Sequence, residues 1–173
     1  YVPLLFMGEE YGEKNPFLYF VDHNEELSKL VSEGRKKEFG YFNFKDEFPD
    51  PSIKESFEKS VLSWNPHDNA PLLNYYKALI ALRKTHPAYK SSERGSLKVL
   101  KTASEALIAI EKSSDEGKLL ILLNFGKEAV TFAPKPENST LIFSTEDEKW
   151  GKGIETNTKE IALNGYSAAV YEI

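Results

Sequence analysis

Two adjacent acids, Glu9 and Glu10, follow the apolar run Pro3-Leu4-Leu5-Phe6-Met7-Gly8 and lead into Tyr11-Gly12. Carboxylates serve proton transfer and the cleavage of sugar bonds. A retaining glycosidase needs two carboxyls about 5–5.5 Å apart, facing each other across the substrate. Neighbours on a strand point to opposite faces, which argues against this pair as a nucleophile and its acid. One carboxylate is expected to face a cleft and touch substrate. The other is expected to pack behind it or to accept from backbone amides.

Flat apolar rings complement the C–H faces of sugars. The loop after the acids carries Tyr11, Phe17, Tyr19 and Phe20. At least half of these rings are expected in the core, and Phe17, just after Asn15-Pro16, is the best placed for exposure. The two tryptophans divide in the same way. Trp64 is expected to pack beneath the last helix of its region. Trp150, in the Lys-, Glu- and Gly-rich stretch EDEKWGKG, is expected to be the more exposed. His23, His67 and His86 are scattered and read as structural. With no cysteine in the chain, thiolate metal sites and disulfides are excluded. No metal site and no cofactor is expected, since no phosphate loop, HExxH or Ser-His-Asp spacing is present.

The elements that must hold these residues follow from hydrophobic spacing. Residues 3–8 read as a buried strand delivering polar groups at its C-terminal end, where a parallel barrel keeps its active site. Such a strand needs neighbours to pair with, and only Tyr1 and Val2 precede it. The expectation is a chain that forms the C-terminal piece of a larger enzyme, with most of the chemistry upstream. Asn24 caps a helix that opens on Glu25 and Glu26 and carries Leu27, Leu30 and Val31. Residues 40–56 read as irregular. Residues 69–85 are the clearest helix, with Asn69 as cap, Pro71 in its first turn and Pro87 as its stop.

Past Tyr89 the helical period vanishes. Strands are expected at 97–102, 106–112, 118–125, 129–133, 140–144, 159–163 and 166–172, as a small antiparallel sandwich. Asn164-Gly165 reads as the two-residue turn of a hairpin. The boundary falls near the polar linker 90–96, giving two regions, 1–89 and 90–173.

Bulk properties agree with a globular chain. It has 173 residues, 40% of them hydrophobic and 13% aromatic, with a net charge of −5. Mixed charge argues against a nucleic-acid partner. No run of about 18 apolar residues reads as a membrane span, and a cytoplasmic setting fits. One Met, no Cys and abundant Lys and Glu lean toward a thermophile source, while ten asparagines weigh the other way.

The segments PLLFMGEEYGE and NPFLYFVDH closely resemble the malto-oligosyltrehalose trehalohydrolase family, α-amylase-type glycoside hydrolases of family 13. Glu33–Phe39, Asp50-Pro51, Phe57–Ser60 and Leu62–Trp64 fit as well, and so does the layout of a last helix followed by a sandwich. The resemblance implies an enzyme of trehalose biosynthesis that cleaves the α-1,4-glucosidic bond next to the trehalose end of a malto-oligosyltrehalose. It implies α/β plus all-β architecture: the end of a (β/α)8 TIM barrel, with its last strand and helices in 1–89, then a β-sandwich in 90–173. The family's retaining mechanism uses carboxylates upstream of this segment, so no catalytic residue is assigned here. Glu10, Tyr11 and Phe17 are the residues expected to line the substrate cleft. The implied partners are the α-glucan substrate and the rest of the parent chain, barrel strands 1–7. Two other readings stand beside it. One is another α-glucan enzyme of the same clan, a branching enzyme or amylase. The other is a non-catalytic sandwich that binds carbohydrate or docks a domain. The segment alone is expected to be inactive and unstable over 1–89, whereas 90–173 is expected to fold by itself.

Overall fold

The structure is a computed structural model that describes residues 2–40, 49–91, 93, 95–147, 149, 150 and 159–173. It divides into two compact units, Tyr1–Asn69 and Ala70–Ile173.

In the first unit, residues 2–6 form no strand, contrary to the expectation for 3–8. A strand is held by hydrogen bonds to neighbouring strands, and no described strand lies in this unit. Leu4, Leu5, Phe6 and Met7 are exposed. The chain then turns at Met7-Gly8 into a single 3₁₀ turn, Glu9–Tyr11. Gly8 and Gly12 flank it with φ of 86° and 67°, a backbone that side chains disfavour. A Cβ on Gly8 would lie 2.8 Å from the Glu13 Cβ, so the turn also needs the missing side chain there.

Helix α1, Glu25–Gly40, begins as its sequence dictates. The Asn24 Oδ1 accepts from the Leu27 amide at 2.9 Å, satisfying one of the orphan donors of the first turn. Helix α2, Lys54–Lys59, falls partly within the stretch expected to be irregular. Residues 41–48 of that stretch lie outside the described residues. Asp50 connects the two helices: Ser32 Oγ on α1 donates to its carboxylate at 2.7 Å, and Ser56 Oγ on α2 donates to its carbonyl at 2.6 Å.

The second unit opens with helix α3, Ala70–Thr85. The short helix α4, Pro87–Lys90, follows, and the His86 Nδ1 caps it by accepting from the Ala88 amide. Among the described residues seven strands follow: β1 Leu97–Leu100, β2 Leu107–Ser114, β3 Gly117–Asn124, β4 Val130–Phe132, β5 Thr140–Ser144, β6 Ile161–Leu163 and β7 Ala168–Glu172. Each lies within two residues of its expected position. Every pairing is antiparallel, in a five-stranded sheet of order β1-β2-β3-β7-β5 and a two-stranded sheet β4-β6.

Period-2 alternation splits the five-stranded sheet into two apolar faces. On one face Leu107, Ala109, Leu120, Leu122, Ala169 and Tyr171 pack against Ile161 and Leu163 of the small sheet. On the other, Leu119, Phe143 and Val170 pack against Tyr75, Ala78 and Leu82 of α3 and Ala88 of α4. The sheet is therefore covered by strands on one side and by helix on the other. β5 carries one extra residue opposite β7, between the pairs Leu141–Tyr171 and Phe143–Val170. That bulge lets both Ile142 and Phe143 reach the helical face.

Asn164-Gly165 does not close a hairpin. Among the described residues β6 pairs with β4, and β7 pairs with β3 and β5, so the dipeptide carries the chain from one sheet to the other. The alternation of Ile161 and Leu163 serves the small sheet's inward face. A two-residue loop does join β2 to β3, at Asp115-Glu116 between the paired Ser114 and Gly117.

Candidate functional site

Glu9 and Glu10 diverge, by a geometry other than the expected strand. Successive residues of a 3₁₀ helix are rotated by about 120°. The Glu9 Oε2 turns back to accept from the Phe6 amide at 3.0 Å. Glu10 forms no hydrogen bond or ion pair with any described residue and is half-buried. Of the two acids, Glu10 therefore has the carboxylate available to an outside ligand.

Tyr11 is buried and hydrogen-bonded. It is 4% exposed, and its phenol donates to the Glu13 Oε2 at 3.0 Å. Burial, and after it the Glu13 carboxylate, pushes that phenol above its ordinary range.

Phe17 is 60% exposed and meets Phe6, itself half-exposed, edge to face at 5.1 Å between centroids. Both line a hollow of about 360 Å³ together with Met7, Glu9, Glu13 and Pro16. Glu10 and Tyr11 do not line it. The structure thus gives the three expected site residues three settings: a free carboxylate, a buried anchor and an exposed ring beside an open hollow.

Glu13 is not singled out by the sequence, yet donors converge on it. Oε1 accepts from the amides of Lys14 and Asn15 at 2.8 and 3.0 Å. Oε2 accepts from Tyr11, from the Ser63 amide at 2.7 Å and from the Ser63 hydroxyl at 2.9 Å. The Asn15 amide is the largest influence in holding the Glu13 carboxyl down to about 2, and Ser63 and Tyr11 add to it. Two further bonds fasten the same loop: Asn15 Nδ2 to the Val61 carbonyl at 2.7 Å, and the Leu18 amide to Ser60 Oγ at 3.0 Å. The local signal is an acid followed by two free amides. Its second half, Ser63, is fifty residues away and has no sequence signature.

Directly after Ser63, Trp64 stands at φ 52° with its indole 72% exposed. Its backbone amide is set against the Tyr11 hydroxyl. A bulky residue in the left-handed region costs about 1–3 kcal/mol and persists where its surroundings dictate it. The tryptophans exchange the roles expected of them. Trp150 is half-buried: its Nε1 donates to the Ser144 carbonyl at 2.8 Å, and its ring packs on Phe143 and Tyr75 at 5.6 and 5.5 Å. Among the described residues, no three His, Asp or Glu side chains stand close enough together to hold a metal.

No family model matches the chain. The malto-oligosyltrehalose trehalohydrolase of Rhizobium sp. strain M-11 is 32% identical over 98% of the chain and 28% of its own length. That of Brevibacterium helvolum is 46% identical over half of the chain and 16% of its own length. Among solved structures, a putative α-amylase from Salmonella typhimurium is 31% identical and superposes with a TM-score of 0.76. It covers 99% of the chain and 28% of its own. With antiparallel sheets and this neighbour, the chain falls among the α-amylase-type glycoside hydrolases. Within that class it belongs with the malto-oligosyltrehalose trehalohydrolases, of which it spans roughly a quarter of the length.

Proposed function

We propose that the chain is the C-terminal part of a retaining glycoside hydrolase that releases trehalose from malto-oligosyltrehalose. It cuts the α-1,4-glucosidic bond next to the trehalose end, with catalytic carboxylates supplied by barrel strands outside this segment. In this reading 1–89 completes the (β/α)8 barrel and 90–173 is the C-terminal sandwich, in a cytoplasmic enzyme of trehalose biosynthesis. The observation that carries it is the likeness to a trehalohydrolase along 98% of the chain. The exposed run Leu4–Met7 fits the same reading, since neighbouring barrel strands would bury it and pair its backbone.

Within the cleft, Glu10 offers an unpaired carboxylate to sugar hydroxyls and Phe17 offers a ring face. Tyr11 contributes by anchoring the loop between them. The test is an assay of the intact protein that carries this segment. Trehalose release from malto-oligosyltrehalose, with little action on plain maltodextrin of equal length, is the expected result. Equal hydrolysis of both would favour the second reading, a general α-glucan enzyme, to which the α-amylase neighbour points. A glycan-binding sandwich draws less support, because Trp150 is committed to packing and to the Ser144 carbonyl.

A further inference from the structure

The hydrogen bonds around Glu13 do more than close a turn. One carboxylate oxygen gathers the amides of Lys14 and Asn15, and the other gathers Tyr11 and both donors of Ser63. Oε1 thus serves the loop's own amides, and Oε2 joins the loop, at Tyr11, to Ser63. Glu10 lies three residues before Glu13 and Phe17 four residues after it. Among the described residues Glu10 forms no hydrogen bond or ion pair, and the Phe17 ring meets the exposed Phe6 ring edge to face. Beside the Asn15–Val61 and Leu18–Ser60 bonds, the Glu13 carboxylate is the point on which most donors of this loop converge.

We propose that Glu13 is a positioning residue for α-glucan binding, which helps to set Glu10 and Phe17 by holding the Lys14 and Asn15 amides of their loop through Oε1 and tying the loop, with Tyr11, to Ser63 through Oε2. This rests on the functional reading above. A carboxamide at this position cannot replace the carboxylate. It offers one accepting oxygen, and its amino group would face donors on the other side. Loss of the clamp leaves the chemical step to groups elsewhere, so the effect belongs in substrate binding. Contacts made equally in the ground and transition states raise KM when they are lost and leave kcat unchanged.

The experiment compares Glu13→Gln, Tyr11→Phe and the double variant in the intact protein, measuring KM and kcat on malto-oligosyltrehalose beside the melting temperature. Glu13→Gln is expected to raise KM at least about tenfold while kcat stays within about twofold. Tyr11→Phe keeps the ring and removes one donor, so it is expected to raise KM by a smaller factor. Combined with Glu13→Gln it is expected to add nothing further. A folded Glu13→Gln protein with a lower melting temperature and unchanged KM overturns the proposal, since that is what a purely structural acid gives. If Glu13→Gln fails to fold, Tyr11→Phe and Ser63→Ala decide, and wild-type KM in both overturns it. A wild-type protein that leaves every α-glucan intact overturns the functional reading along with the proposal. An active wild type with unaffected variants overturns the proposal alone.

Discussion

At Glu13 an acid with no place in the chemistry read from the sequence carries the loop's organisation. Its folded carboxyl sits near 2, against an ordinary value of 4.5. A depressed pKa stabilises the folded state fully above the ordinary value, and the contribution is lost as pH falls through the folded one. The stability gap between wild type and Glu13→Gln is therefore expected to be constant above about pH 4.5 and to close between 4.5 and 2. Melting curves at stepped pH measure this, and a gap that widens on acidification would contradict it. Gly165 makes a second demand on a single residue. A Cβ there would fall 1.9 Å from the Lys127 carbonyl oxygen, and the Tyr166 amide bonds to the Gly126 carbonyl beside it. Backbone cannot yield as a side-chain tip can. Gly165→Ala is expected to cost on the order of 3 kcal/mol in chemical denaturation, well beyond an ordinary loop substitution.

Among the elements, the strands of the second unit are legible because alternation and turn residues act locally. Leu119–Leu123 reads as a buried strand since both of its faces are covered, one by β4 and β6 and the other by α3. Asn24 and Glu25-Glu26 likewise announce α1. What the sequence does not reveal is whatever depends on partners distant in the chain. Asn164-Gly165 has the composition of a hairpin, yet β7 finds better partners in β3 and β5. Residues 3–8 have the composition of a strand, but pairing is not a local property. The tryptophans depart from expectation for the same reason, because neighbouring charge says little about what a ring will pack on. Of the candidate site, the exposure of the Phe17 ring is legible from its place after Asn15-Pro16, and the convergence of donors on Glu13 is not. The helical cover yields its own prediction. Leu119 is fully buried beneath α3 and α4, so Leu119→Ala is expected to cost about 2–5 kcal/mol in urea or thermal unfolding.

The two units differ in what they bury. The second buries two clusters, one between its sheets and one beneath α3 and α4, whereas in α1 of the first no residue is buried. A fragment 70–173 is expected to be soluble and to melt cooperatively, because it keeps Tyr75, Ala78 and Leu82 over the sheet. A fragment 90–173 lacks that cover and is expected to melt at a lower temperature, and calorimetry on both fragments would decide. Equal melting temperatures would mean that α3 contributes nothing to the sandwich. The segment 1–173 alone is expected to release no trehalose, with fast amide exchange over 1–40. The distribution of the two indoles makes these units separately visible. Trp64 falls in the first and Trp150 in the second, one solvated and the other enclosed by Phe143 and Tyr75. On excitation at a tryptophan wavelength, the segment should give a red-shifted, readily quenched emission from one and a blue-shifted, shielded emission from the other. Replacing either with Phe leaves an optical label on a single unit, so the order in which the two halves lose structure can be read from light alone.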